Sequence, residues 1–502
     1  MPTSDTALTT IRPAFFGRRQ IFTSEEVITR ENVLSVVNEC LVLHCQNILE
    51  EEYLYWYRRG LHPILDRKKQ VRPEINNKVV ENHADEIVAF KNGYFLTQPA
   101  FYICRTDDQE TMDKVNRLNE YVYRSGKQQA DNEVVDWFHT VGKAALFVQP
   151  NDDENVPLEV FSLDPRRAFV VYSLRPGNRP VMGVNMVING DKVVLDVFTK
   201  TTIFHLAGGV RGRAITNEPI EATAINIIGE EPNRVGHVPI IEYQYNSVNM
   251  GAFESVISLL DAIDEVASNR LDGIEQFIQS LLVFYNCQLG EDEEGNAITP
   301  SYIREAGAIF LKSIGQDRAD LKELSSQLDQ TQTQVLVDYM YQQVLTICGM
   351  PLAHNPGSTY DTTGSAVLAN NGWYQADTVA RNTEDLFRKS NRYFDEIILD
   401  ILRVKTDLDL RLTDIELHFV RNETANIQSK AQSLQTLLSA GVEPTRAFAW
   451  SGVSKDPQAD VAASKPYLKM RWGDPDAPIA QPTTEIVEED RDTGVNETGG
   501  AV

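Results

Sequence analysis

The sequence predicts an α+β fold laid out in segments, with helices before and after a β-rich block. Three observations carry this. The 502 residues are 42% hydrophobic and 24% charged, an ordinary globular balance in a chain too long for one average domain. Apolar residues recur at steps of three and four through much of the first 145 positions and again after position 246. Between those stretches, short runs rich in Val, Ile, Phe and Thr alternate with turn residues.

Taken in order, residues 1–22 lack periodicity and read as an N-terminal arm. A helix follows, signalled by Thr23-Ser24-Glu25-Glu26 and by Val33, Val36, Val37, Cys40, Leu41, His44 and Ile48 along one face, and it ends near Gly60. Arg67-Lys68-Lys69 with Arg72 is the one dense basic run; Pro63 and Pro73 bracket it, so it reads as an extended connector. Helices are expected over 76–95, 108–123 and 132–145. The β-rich part spans 146–245, with Asn189-Gly190-Asp191 as a hairpin signal. From Phe253 to Leu281 the apolar spacing is helical with no proline, which predicts one helix over 253–285. A turn-rich insertion, 286–319, carries Glu291-Asp292-Glu293-Glu294, and a second helix is expected over 320–350. Pro, Gly, Ser and Thr mark 351–364 as a loop. The proline-free stretch 365–405 reads as one helix, roughly 60 Å long if continuous. Residues 406–422 alternate as a strand, 423–472 hold further helices, and the acidic stretch 473–502, rich in Gly, Pro and Thr, reads as disordered.

Charge and motifs narrow the function. With 47 bases against 72 acids the net charge is −25, which speaks against a broad basic surface that grips nucleic acid. Five cysteines without framework spacing suit free thiols in a reducing compartment, and no apolar run is long enough to cross a membrane. A soluble intracellular protein is expected. There is no phosphate loop, no GxGxxG opening a helix, no HExxH and no GxSxG, so neither an enzyme nor a cofactor is expected. Cys40 and His44 stand one helical turn apart, a spacing that can share a metal, yet their neighbours Val36, Val37 and Leu41 favour a packed helix face and no metal. Asp261, Asp264, Glu265, Asp272 and Glu275 read as the solvated or interface side of an amphipathic helix rather than as catalytic pairs. The basic run could touch DNA, or an acidic surface of a neighbouring subunit, the commoner use of a lone basic patch on an acidic chain.

The order of segments resembles the portal proteins of tailed bacteriophages, of the siphophage head-tail connector type, over about residues 45–470. Local stretches carry the resemblance too: Tyr53 to Arg59 ahead of the basic run, Asn76-Asn77-Lys78, Asn82-His83-Ala84, and Phe90-Lys91-Asn92-Gly93-Tyr94-Phe95-Leu96 before Gln98-Pro99. Further on, Gly251-Ala252-Phe253-Glu254-Ser255-Val256, His418-Phe419-Val420-Arg421-Asn422-Glu423 and Ala440-Gly441-Val442 continue it.

The resemblance implies a homo-oligomeric ring, typically a dodecamer, at one capsid vertex of the virion and assembled in the host cytoplasm. Double-stranded DNA would pass through its channel during packaging and ejection. The implied partners are the terminase large subunit, a head-tail adaptor, and the major capsid and scaffolding proteins, with no membrane. It assigns 23–252 to the wing, 253–285 and 320–350 to the stem, 286–319 to the clip, 351–364 to the tunnel loop, 365–405 to the long wing helix, 406–422 to a wing strand and 423–472 to the crown. DNA contacts would then fall on His354, Asn355, Ser358, Thr359, Tyr360, Asp361, Thr362 and Thr363, and docking at the clip on Glu291, Asp292, Glu293, Glu294, Arg304 and Lys312. Arg67, Lys68, Lys69 and Arg72 would serve a subunit interface or DNA. A ring-forming head-tail protein without a DNA gate, or a nucleic-acid-processing enzyme, are the alternatives.

Overall fold

The computed structural model describes residues 17–70, 72–106, 108–190, 192–211, 221–278, 281–285, 287–289, 311–313, 320–324, 330–351, 372–419, 427–454 and 457–472. They fall into two compact units, 1–424 and 425–502.

The first unit opens with β1 (Ile21–Thr23), α1 (Val33–Arg58), α2 (His83–Phe95), β2 (Phe101–Cys104), α3 (Gln109–Arg124) and α4 (Lys127–Val141). Eight strands follow: β3 (Lys143–Pro150), β4 (Leu158–Leu163), β5 (Ala168–Ser173), β6 (Pro180–Asn189), β7 (Lys192–Thr199), β8 (Thr202–Arg211), β9 (Glu221–Pro232) and β10 (Ile240–Gln244). Six of the strands so far form one sheet in the order β1-β5-β6-β7-β8-β9, and β3 runs between β10 and β4 in another. Alternation sets the buried face: Val184 pairs with Val197 and Met186 with Leu195, and Leu195 pairs in turn with Leu206. Against that face α1 lays Val33, Val37, Cys40, Leu41 and Ile48, its expected stripe.

Of the arm expected over 1–22, residues 1–16 lie outside the described residues, and those from 17 onward are built into the fold. β1 adds to the large sheet as a parallel partner of β5. Gly17 has φ +78°, and a Cβ there would lie 1.8 Å from the Val248 carbonyl oxygen. Three residues are too few to show a period, so no sequence pattern marks this strand. α1 also starts later than the Thr23 signal suggested. α2 starts at His83, where the Asn82 side chain accepts the Asp85 N–H, rather than at 76.

The remaining elements of this unit are α5 (Ile257–Ile278), β11 (Leu281–Tyr285), β12 (Cys287–Leu289), β13 (Leu311–Ser313), β14 (Asp320–Leu324), α6 (Gln330–Ile347), α7 (Trp373–Thr406) and β15 (Ile415–His418). The helices expected over 253–285 and 320–350 are each interrupted: α5 gives way to β11 and α6 is preceded by β14, and the two strands pair antiparallel. The reason is that Leu281-Leu282-Val283-Phe284-Tyr285 is a short apolar run whose periodicity fits helix or strand, and a partner strand decided it. β12 and β13 pair farther along the same extension. α5 and α6 pack together through Leu260, Ile263, Val337 and Val344, sharing a core with Leu54, Tyr57, Ile87 and Val88. α7 buries Phe387, Phe394, Ile397, Ile398 and Leu402 with residues of α4 and β3. Of the strand expected over 406–422, the described residues form β15, paired with β2, and Asp407 turns the chain ahead of it at φ 56°. Among the described residues the second unit holds α8 (Ile427–Ser439), α9 (Pro444–Ser451) and α10 (Pro457–Trp472).

Candidate functional site

The segment after α1 cannot be helical throughout, so its backbone N–H groups need partners from elsewhere. α5 supplies them. The Asn77 N–H donates to Asp272 Oδ1 (2.7 Å), the Val79 N–H to Ser268 Oγ (2.9 Å) and the Glu81 N–H to Asp264 Oδ1 (2.8 Å). The spacing explains the match: two residues of extended chain advance about 6.6 Å and four residues of helix about 6 Å, so every second amide meets every fourth side chain.

The same helix face takes the side chains of the connector. His62, fully buried, sets Nδ1 2.5 Å from Asp264 Oδ2 and Nε2 3.0 Å from the Tyr57 carbonyl oxygen, with its ring stacked on Tyr57. The Tyr57 hydroxyl donates to Asp261 at 3.0 Å. Arg67 and Lys69 both pair with Asp272, which also accepts from the Asn77 side chain. Burial alone would raise the Asp272 carboxyl, but the hydrogen bonds from Lys69 and Asn77 outweigh it and hold the group below its ordinary range.

Two expectations change here. Asp264 and Asp272 are buried, so the acidic side of this helix is a staple for the connector rather than a solvated face. Arg67 and Lys69 pair with an acid of their own chain, a partner not weighed in the sequence; Lys68 is exposed, and Arg72 turns the chain at φ 53° just before Pro73. Residues 354, 355 and 358–363, together with 291–294 and Arg304, lie outside the described residues. Lys312 lies on β13, opposite Gln288 of β12. The end of α6 is held by Lys91, whose Nζ donates to the Cys348 carbonyl at 2.7 Å.

A second polar network had no motif to announce it. Arg18 pairs with Glu254 (2.5 Å) and Glu50 (3.0 Å), and Lys143 lies 3.7 Å from Glu51 and 3.4 Å from Glu242, all of them largely buried. It joins the chain before β1 to α1, β3, β10 and the turn that leads into α5. Burial pushes the Glu51 carboxyl up to about 7 against the pull of Lys143 and Arg18. One signal was available: Glu51 continues the stripe of Cys40, His44 and Asn47 along α1, a charged group on an otherwise buried face. Cys40 and His44 themselves are core residues, His44 packing on Phe169 with Nε2 3.2 Å from the Arg166 carbonyl oxygen. Gly208 and Gly209 lie within β8. Among the described residues no helix is long and apolar enough to cross a membrane.

The charged groups at both places tie distant segments of the chain together, the use a structural protein makes of them. The chain matches the phage portal protein family, described as SPP1 Gp6-like, over residues 44–465, and it belongs to that family. It is therefore a structural, non-enzymatic bacteriophage protein and a component of the capsid. Family membership implies an oligomeric ring with capsid and terminase partners. No curated protein matches the chain.

Proposed function

We propose that the chain forms a closed ring at one capsid vertex, a dodecamer, whose channel passes double-stranded DNA during packaging and ejection. The family match over residues 44–465 carries this reading. In it, α5 and α6 are the stem, the paired strands β11–β14 and β12–β13 begin the clip that docks the terminase large subunit and later the head-tail adaptor, and 351–364 is the tunnel loop. The long wing helix, the crown at 423–472 and contacts with major capsid and scaffolding proteins complete the assignment, with assembly in the host cytoplasm.

A net charge of −25 suits a conduit. Each neutralised phosphate strengthens binding through counterion release, so a strongly basic lining would act as a brake, whereas an acidic one lets the polyanion slide. His354, Asn355, Ser358, Thr359, Tyr360, Thr362 and Thr363 would make short-lived hydrogen bonds to phosphate, with Asp361 limiting affinity. Electron microscopy of the purified protein, with its mass measured in solution, tests the ring. Closed rings with a channel wide enough for duplex DNA are expected, and a chain that stays monomeric with its capsid partners would overturn the reading. Deleting 356–362 should leave rings intact and impair packaging; unimpaired packaging would remove the loop's contact role.

A further inference from the structure

One cleft of the first compact unit is lined with hydrogen-bond donors that the fold leaves unused. It has a volume of about 540 Å³ and lies beside β10, between the turn that joins β5 to β6 and the middle of α7. Its floor is apolar, with Val170, Ile240 and Ile241 all buried. Around that floor stand Arg179, Lys389, Gln20, Asn178, Gln244 and Ser390, and among the described residues none of these six side chains has a hydrogen-bond or ion-pair partner. The one carboxylate among the described lining residues, Glu242, is already answered: Lys143 lies 3.4 Å away and the Tyr172 hydroxyl donates to it at 3.1 Å.

Neighbouring cations show the contrast. Arg175, in the same turn as Arg179, pairs with Glu26, and Arg388, next to Lys389 on α7, pairs with Asp385 at 3.2 Å and Glu384 at 3.6 Å. On a chain of net charge −25, two exposed cations that share a cleft with no free acid make a local site for anionic groups. The same small sheet carries a counterpart. The turn between β3 and β4 bears Asp152, Asp153 and Glu154, the one exposed run of three acids among the described residues. Asp152 pairs with Lys405, whereas among the described residues Asp153 and Glu154 have no cationic partner. The turn is held in shape: the Asn151 N–H donates to the Pro157 carbonyl at 2.8 Å, and the Asp153 carboxylate accepts the Asn155 N–H at 2.9 Å. The cleft lies beside β10 and the turn leads into β4, and these strands are the two edges of one three-stranded sheet.

We propose that the acidic turn of one subunit enters the cleft of the next, where Arg179 and Lys389 meet the carboxylates of Asp153 and Glu154 and the amides and the Ser390 hydroxyl donate to them. Turn and cleft are different patches of one chain, so the contact is head-to-tail, which generates a ring where the rotation closes. Two copies of so acidic a chain repel each other, and a contact that sets cations against acids offsets this locally and fixes the register of neighbours. A turn already closed by its own hydrogen bonds also loses little freedom on docking. The inference rests on the ring reading and deepens it by naming the two surfaces that meet.

The test is the concentration of full-length protein at which rings form, followed by native mass spectrometry and electron microscopy. Arg179→Glu with Lys389→Glu should raise that concentration at least about tenfold, because like charges then face each other. Asp153→Lys with Glu154→Lys should raise it in the same way, although this variant is less acidic and its copies repel less overall. All four substitutions in one chain set opposite charges face to face again and should bring the concentration back toward the wild-type value, which a misfolded chain would not do. Rings at the wild-type concentration in either double variant overturn the proposal, and so does a fourfold variant that assembles no better than the doubles. Wild-type rings alongside unaffected variants remove this contact and leave the portal assignment standing, whereas a wild type that forms no rings removes the ring reading and this contact with it.

Discussion

Asp272→Ala is the perturbation that most directly tests how the connector is held to the stem. The substitution leaves the Asn77 N–H without an acceptor and removes the anion facing Arg67 and Lys69. Orphaning a buried donor costs about 1–3 kcal/mol. The side chains of Arg67 and Lys69 are 15% and 29% exposed, so both cations can rotate toward water, and their loss adds only about 1 kcal/mol. The sum, about 2–4 kcal/mol, lowers the free energy of opening this segment. Amide hydrogen exchange followed by mass spectrometry on a peptide covering 76–82 should then accelerate about 30- to 900-fold. Asp272→Asn keeps an oxygen for Asn77 and should show a smaller change. Peptides from β6 and β7 should not respond to either. If 76–82 exchanges at the wild-type rate in Asp272→Ala, the ladder of amides on α5 does not hold the connector, and the match of extended and helical spacing is incidental.

Other outcomes follow from the second network and the backbone around it. Glu51 is raised from 4.5 to about 7 by burial, so its contribution to stability is complete at acidic pH and drains away as pH rises through that interval. Glu51→Gln should therefore remove up to about 3 kcal/mol of pH dependence, and its thermal midpoint should exceed that of the wild type at about pH 8 but not at about pH 5. Gly142 has φ +94°, and a Cβ there would meet the Asn249 carbonyl oxygen at 2.0 Å, so Gly142→Ala should cost at least about 2 kcal/mol in denaturant unfolding. Burial pushes the Cys40 thiol up to about 12 and that of Cys348 up to about 11. Neither should react with a thiol reagent near neutral pH until the protein is unfolded, and mass spectrometry of labelled peptides would show it.

Much of the fold was legible along the chain because its signals are local. The stripe from Val33 to Ile48 has a helical period, the strands from Ala168 to Thr199 alternate around a hairpin turn, and Phe387, Phe394 and Ile401 recur at sevens along one helix. The order of these segments, with the stretches quoted above, was enough to indicate the family. Tertiary structure decided what depended on a partner distant in sequence. Leu281 to Tyr285 became a strand because Asp320 to Leu324 lay alongside to complete its hydrogen bonds. Ile21 to Thr23 became a strand because β5 offered an edge. The roles of Arg67, Lys69, Asp264 and Asp272 followed the same rule: a charged side chain declares its sign in the sequence, but whether water, DNA, another subunit or its own chain answers that charge depends on which backbone folds back beside it.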